Sequence, residues 1–417
     1  MKTQFSKLTF LSLFFFFASL QGETYYVDGS NGSDANSCAT AQSPGSTAKL
    51  TINAGIGCLS AGDELIIATG TYAEGINTPI TDIPNGVSWA AATTIRANGT
   101  VGSYDVVTIK PGSGVTMNIA NNDDYIIFEG LILDCNQADC NAIRIKNSDH
   151  IRCLNCELKG AKGSGSGWSV RGDSNFNELV GTNPPVAGSS DCRIHDNGAD
   201  KFGHGMYISG DDNLVENCEI WDNGGFGVHI YMSGGGPERN RAISNLVHDN
   251  NTAPGTQAGI LLGSGDDNQA WNNFVYNNET GILFANTACA SSDAFNNTVT
   301  ENSGFGIEIQ SPCTDIVLIN NIIYNNLREI EDQGTNTTIQ SNLTADPSFV
   351  NAASDNFDIL EGSAAKDQGQ DLSDIFTDDF NDNSRLKETS FDVGAYEFMD
   401  DGPSVPPAPT NLRIASK

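Results

Sequence analysis

Seven short stretches of the chain share one alternation. They run Ala142 to Lys146, Gly167 to Arg171, Gly205 to Ser209, Gly227 to Tyr231, Gly259 to Gly263, Gly281 to Ala285 and Gly306 to Gln310, and each reads small, apolar, variable, apolar, variable. A period of two places alternate side chains on one buried face, which is the pattern of a half-buried strand. The stretches recur every 22 to 38 residues; Met206 and Val228 are 22 apart, as are Ile260 and Ile282. Strands returning at this interval predict a solenoid, in which the variable positions stack into one continuous surface where an extended ligand would lie.

A polar pattern follows the strands. Asn217-Cys218, Ser244-Asn245, Asn272-Asn273, Asn296-Asn297 and Asn320-Asn321 fall in register, and each is followed by Asp222-Asn223, Asp249-Asn250, Asn277-Asn278, Glu301-Asn302 or Asn325-Asn326. Inward Asn side chains at successive corners can bond to one another along a stack, and Asn tolerates the left-handed backbone of a sharp corner. With no helical period, the expected fold is all-β: a right-handed parallel β-helix with an N-terminal cap and a C-terminal capping segment. An antiparallel sandwich is the competing reading, and the in-register Asn columns argue against it.

The expected organisation has five parts. Residues 1–22 carry Lys2 and Lys7 before an apolar run, Leu8 to Leu20, and read as a signal peptide removed on export. Residues 23–120 form the N-terminal cap and first coils, with a capping helix around Lys49 to Leu59. Regular coils fill 121–340, a capping segment 341–398, and a Pro-rich tail 399–417. Two longer connections, near 172–190 and Ser233 to Asn240, flank the coils carrying Tyr207 and His229; long loops on a regular scaffold commonly carry function.

The outward positions of the aligned strands supply candidate chemistry. One column reads Arg144, Ser169, Tyr207, His229, Leu261, Leu283, Glu308, and the next Lys146, Arg171, Ser209, Tyr231, Gly263, Ala285, Gln310. The N-terminal coils thus gather Arg144, Lys146, Arg171, Tyr207, His229 and Tyr231 on one face, with His204 beside them. β-Elimination on an acidic sugar polymer needs such a set. A cation neutralises the uronate carboxylate, a base removes the C5 proton, and an acid protonates the leaving oxygen. Arg144 and Arg171 suit carboxylate binding. His229, Tyr207 or Lys146 suit the base, and Tyr231 or His204 the acid. Arg144, Arg171, Tyr207, Tyr231 and Glu308 are the candidate substrate-binding residues. An ordinary solvated strand surface would also present polar residues in columns. Three readings follow: a lyase, a non-catalytic glycan-binding or structural protein, and a C5-epimerase.

Charge and cysteine content narrow the setting. The formal net charge of −31 becomes −33 once Lys2 and Lys7 are removed, which argues against nucleic acid or an anionic membrane as partner and makes a local basic cluster stand out. An anionic polysaccharide is the expected partner, and the chain is expected to be an extracellular or periplasmic monomer with no membrane span. Ten Cys in an exported chain predict disulfides. Cys38 pairs with Cys58 in this reading, and Cys289 with Cys313 on adjacent coils; the pairing of Cys135, Cys140, Cys153, Cys156, Cys192 and Cys218 stays open, buried thiols included. The residues single out no particular cofactor and leave a calcium requirement open. Calcium is an alternative carboxylate neutraliser, with the Asp-rich turn 210–213 as its candidate site.

The stretch Asp346-Pro347-Ser348-Phe349-Val350, Phe357 to Gly369, Arg385 and Asp392 to Phe398 resembles the C-terminal cap of secreted right-handed β-helix repeat proteins of the choice-of-anchor Q type. The opening Tyr25-Tyr26-Val27-Asp28-Gly29, with Gly62 to Gly75, resembles the same proteins and the β-helix polysaccharide lyases of the chondroitinase B and alginate lyase group. The resemblance implies the architecture and leaves the reaction open, because this fold hosts lyases, hydrolases, epimerases and adhesins. Pectin hydrolases of this fold use Gly-His-Gly and Arg-Ile-Lys motifs. Gly203-His204-Gly205 and Arg144-Ile145-Lys146 occur here in the other order, so the hydrolase roles are not transferred. Asp211-Asp212-Asn213 and Asp266-Asp267-Asn268 read as corner turns.

Overall fold

The computed structural model describes residues 22–135, 140–255, 257–287, 289–385 and 390–399. Residues 1–21 of the expected signal peptide and residues 400–417 of the expected Pro-rich tail lie outside the described residues. The chain winds into three parallel sheets of 12, 10 and 10 strands. One coil illustrates the path: Leu214–Glu216 belongs to the first sheet, Cys218–Trp221 to the second and Val228–Ile230 to the third. Each pairs parallel with its counterpart one coil on, at Arg241–Ile243, Leu246–His248 and Ala258–Leu262. The expected alternation is realised in the third sheet. Ile143, Trp168, Met206, Val228, Ile260, Ile282 and Ile307 point inward in one column with no exposed surface, and burial of that column is the main force holding the coils together.

Asparagine ladders line the corners. Between the first and second sheets, Asn245 Nδ2 donates to Asn273 Oδ1 at 3.0 Å, Asn273 to Asn297 at 2.9 Å and Asn297 to Asn321 at 3.0 Å. Between the second and third, Asn223 donates to Asn250 at 2.9 Å and Asn302 to Asn326 at 2.9 Å. Each amide satisfies backbone and neighbour together, as a buried polar group must. The residue before each first-ladder Asn takes the left-handed conformation, with φ of 57° at Asn272, 48° at Asn296 and 60° at Asn320. A third ladder, Asn177–Asn213–Asn240–Asn268, closes the remaining corner with bonds of 3.1, 3.1 and 3.0 Å. Asp212 and Asp267 hold the left-handed position beside it at φ 55° and 57°, so both Asp-rich turns are corners.

The helix near the N-terminus spans Ile52–Ile56, with Thr51 Oγ1 accepting from Ala54 N at 3.2 Å. It buries Ile52 and Ile56, and Gly55 lies so close to the sheet that a Cβ would meet Val27 and Leu65 side chains at 2.6 and 2.8 Å. The strands begin before it: Thr24–Val27 pairs parallel with Glu64–Ile67. Residues after the last coil run along the outside of the second sheet. Phe357 and Phe380 pack on Phe274 and Tyr276, and the fully buried Arg385 donates to Asn272 Oδ1 at 2.7 Å and to the Gly394 and Ala395 carbonyls while pairing with Glu397.

Cys38–Cys58 and Cys289–Cys313 are bridged as expected. Among the six left open, Cys135 pairs with Cys140 and Cys192 with Cys218, and Cys153 and Cys156 are buried thiols. Among the described residues, no helix is long and apolar enough to cross a membrane.

Candidate functional site

The outer face of the third sheet carries the candidate residues. Its register aligns Arg144, Ser169, Tyr207, His229, Leu261, Leu283 and Glu308 across successive strands. Lys146 and Arg171 are direct partners in the column beside it. The structure brings most of the set together. Tyr207 and His229 rings meet edge to face at 5.2 Å, and His229 stacks with Tyr231 at 5.4 Å. His204 reaches in from the preceding corner, its ring 4.3 Å from that of His229. The Arg171 guanidinium lies 4.7 Å over the Tyr207 ring, held by a 2.8 Å bond from Nε to Ser169 Oγ. Arg144 stands two strands from Tyr207. Glu308 stands three strands beyond His229, roughly 14 Å at the usual strand spacing, and does not join the cluster. It is nearly buried; Oε1 accepts from Gln310 at 2.9 Å while Oε2 has no hydrogen-bond partner among the described residues.

Burial sets the protonation of the histidines. His204 is driven down to about 4, first by desolvation and then by the positive charge of Arg171, with Asp200 opposing. Its Nδ1 accepts from Phe226 N at 3.1 Å, so the neutral ring carries its proton on Nε2. His229 is also pushed well below the ordinary histidine value by burial, with His204 adding to the effect. Phe226 contributes to that burial, its ring 4.5 Å from His229, and His229 Nδ1 has no partner among the described residues. Burial raises the Tyr207 phenol, against the pull of Arg171, and keeps it protonated.

Most cations on the other two sheets meet carboxylates, although Arg241 on the first sheet has none among the described residues. Arg96 meets Glu64 at 2.6 Å, Lys110 meets Asp134 at 2.7 Å and Arg152 meets Glu178 at 2.6 Å, while Arg239 grips Asp212 with two bonds of 2.8 Å. Among the described residues, Arg144, Lys146 and Arg171 have no carboxylate partner. Two cations in direct register repel each other. In a strongly acidic protein their uncompensated state is informative.

The turn 210–213, expected as a calcium candidate, has its side chains otherwise engaged. Asp212 binds Arg239, Asp211 Oδ1 accepts from Glu238 N at 2.9 Å, and Asn213 belongs to the third ladder. Among the described residues, no group of three or more His, Cys, Asp and Glu side chains is arranged to hold a metal ion.

Neighbouring corners add residues that the strand columns do not contain. Phe226 covers His229. The turn 198–203 carries Lys201 and Phe202 at the edge of the face, just before His204. Neither lies on a strand, so strand periodicity does not point to them.

No curated protein sequence matches the chain. Residues 141–344 match the family model described as "Right handed beta helix region". Among solved structures, pectate lyase Pel9A superposes with a TM-score of 0.67 at 14% identity, covering 90% of this chain and 96% of that one. A rhamnogalacturonan lyase superposes with a TM-score of 0.53 at 15% identity, covering 79% and 91%. The sheet topology, the inward ladders and the family match agree, and the chain folds as a right-handed parallel β-helix.

Proposed function

We propose that the protein is an exported polysaccharide lyase that cleaves a uronate-containing glycan by β-elimination on the outer face of the third sheet. The carrying observation is the set of unpaired cations Arg144, Lys146 and Arg171 beside a histidine–tyrosine cluster. A polymer carboxylate supplies the charge this face lacks. Arg171 and Arg144 neutralise it, which acidifies the adjacent C5–H. Neutral His229 takes that proton as base, with Lys146 the alternative base. The C–H electron pair becomes the new ring double bond as the glycosidic C–O bond breaks. The phenol of Tyr207 or Tyr231 gives its proton to the departing oxygen. His204, held neutral with Nδ1 occupied, is a poor acid and serves instead to position His229. The similarity to pectate and rhamnogalacturonan lyases supports the scaffold for this chemistry, and four disulfides fit an oxidising compartment.

The test is ultraviolet absorbance of unsaturated ends, with alginate, pectate, chondroitin, hyaluronan, heparin-like chains and ulvan, with and without calcium. Signal on one polymer that disappears in Arg171→Ala supports the reading; absence of signal on all of them sinks it. A second reading, glycan binding without turnover, is favoured by the near-complete burial of His229. It predicts retention of the same polymers in affinity electrophoresis with no absorbance change. A C5-epimerase would exchange the C5 proton with solvent while leaving the chain uncut.

A further inference from the structure

We propose that the turn 198–203 is a substrate grip: Phe202 stacks on a sugar ring and Lys201 pairs with a uronate carboxylate, one step outside the cationic face. The inference rests on the lyase reading and adds two binding residues to it.

The turn is built to hold its tip still. Gly198 and Gly203 face each other so closely that a Cβ on either would meet the other's backbone within 2.4 Å. Asp200 ties the inside, its Oδ1 accepting from Phe202 N at 2.8 Å and its Oδ2 from Ser164 Oγ at 2.8 Å. The Asp200 carbonyl accepts from Gly203 N at 3.0 Å, and Gly224 and Gly225 of the next coil pack against the turn without side chains. A rigid backbone therefore presents Lys201 and Phe202 outward.

The tip is not packed as an ordinary surface residue would be. Phe202 is 62% exposed, although nearby Phe226 is folded onto His229. Lys201 Nζ lies 5.2 Å from the Phe202 ring and has no carboxylate partner among the described residues. An exposed ring with an adjacent free cation matches a carboxylated pyranose, whose apolar face stacks and whose carboxylate pairs. The location fits the same substrate, since His204 follows Phe202 by two residues and contacts both His229 and Tyr207. A lone exposed Phe is common; here it is combined with a pinned turn, an unpaired cation and a place two residues before His204.

Phe202→Ala and Lys201→Ala, both at exposed positions, are compared with the intact protein on the polymer it cleaves. Loss of a stacked ring raises KM about three- to tenfold. Lys201→Ala raises KM at low salt and flattens its salt dependence, because a screened charge is lost. In both, kcat stays within about twofold, whereas Arg171→Ala lowers kcat. KM unchanged in both tip variants, with Arg171→Ala inactive, overturns the grip and leaves the lyase reading standing. An intact protein that neither cleaves nor retains any acidic polymer in affinity electrophoresis overturns both. A fall in kcat rather than a rise in KM also overturns the grip.

Discussion

On the second sheet, the outward residues Glu157, Arg193 and Glu219 stand in register, with Lys159, His195, Trp221 and His248 in the column beside them. On the third sheet the corresponding columns hold Arg144, Tyr207 and His229, then Lys146, Arg171 and Tyr231. The residue types overlap, yet the electrostatics differ. Glu157 binds Lys159, Arg193 and His195 together. Burial alone would raise its carboxyl, but the bonds from His195 and Lys159 and the charge of Arg193 hold it at about 2. His248 sits between Glu219 at 3.3 Å and Asp249 at 2.8 Å, and these outweigh its burial and lift it to about 9. On the third sheet Arg144, Lys146 and Arg171 have no carboxylate partner among the described residues, although Arg328 at its far end meets Glu331, and burial holds His204 and His229 below the ordinary histidine value. The second face completes its charges from within the chain; the three cations of the third do not, and in the proposed function the substrate carboxylate completes them. Compensated charge on a solenoid face serves the stack, and uncompensated charge of one sign points to a ligand.

The sharpest break in this comparison comes from exchanging its arginines. Arg171→Ala is expected to lower turnover at least about a hundredfold, the scale of losing one charge-stabilising group in a transition state, while the melting temperature hardly moves. Arg193→Ala is expected to leave turnover alone and to cost about 1–3 kcal/mol, because a nearly buried Glu157 keeps only part of its partners. Paired activity assays and urea unfolding separate the two. If Arg193→Ala lost turnover and Arg171→Ala lost stability, the two faces would have been assigned the wrong way round.

Strand periodicity carried much of the fold because each third-sheet strand repeats a small residue and two inward apolar ones. Two of the three Asn ladders were legible for the same reason, since their spacing from the strands is nearly constant. The third was hidden by variable loops: Asn177 follows Val170 by 7 residues, Asn213 follows Ile208 by 5 and Asn240 follows Ile230 by 10. At the candidate site, the outward column put Arg144, Tyr207 and His229 in one register, as the sheet does, but it also carried Glu308, which stands apart, and the chemistry of these residues depends on contacts from elsewhere. Phe226 and His204 reach His229 from corners, and burial, joined at His204 by the charge of Arg171, holds both histidines below the ordinary value. That Arg171 lacks a carboxylate partner while Arg193 has one is likewise invisible in a column of residue names. Lys201 and Phe202 escaped notice because a turn has no period.

The two faces also differ in the sign of their response to pH, which gives a finer test of the contrast. His204 titrates at about 4 when folded and near 6.5 when unfolded. Between these values the unfolded chain binds more protons, so stability falls as pH drops from 6.5 to 4. One such group contributes a slope of up to about 1.4 kcal/mol per pH unit. His204→Asn should flatten the unfolding free energy across that window. His248 behaves oppositely. Its folded value of about 9 lies above the unfolded one, so its contribution is fully present below about 6.5 and is lost as pH rises through 9. The charged groups around it are Glu219, Asp249, Asp222 and, from the C-terminal segment, Asp355. Against His248→Gln the intact protein should be on the order of 2 kcal/mol more stable at pH 6, a margin that shrinks toward pH 9.5. Because Asp355 belongs to the segment lying over the second sheet, raising the pH should also loosen that segment before the coils, read as amide exchange at Phe357 ahead of Val247. A margin for His248→Gln that stayed constant from pH 6 to 9.5 would mean that its ring is not held charged by Glu219 and Asp249, and the electrostatic contrast between the faces would rest on the arginines alone.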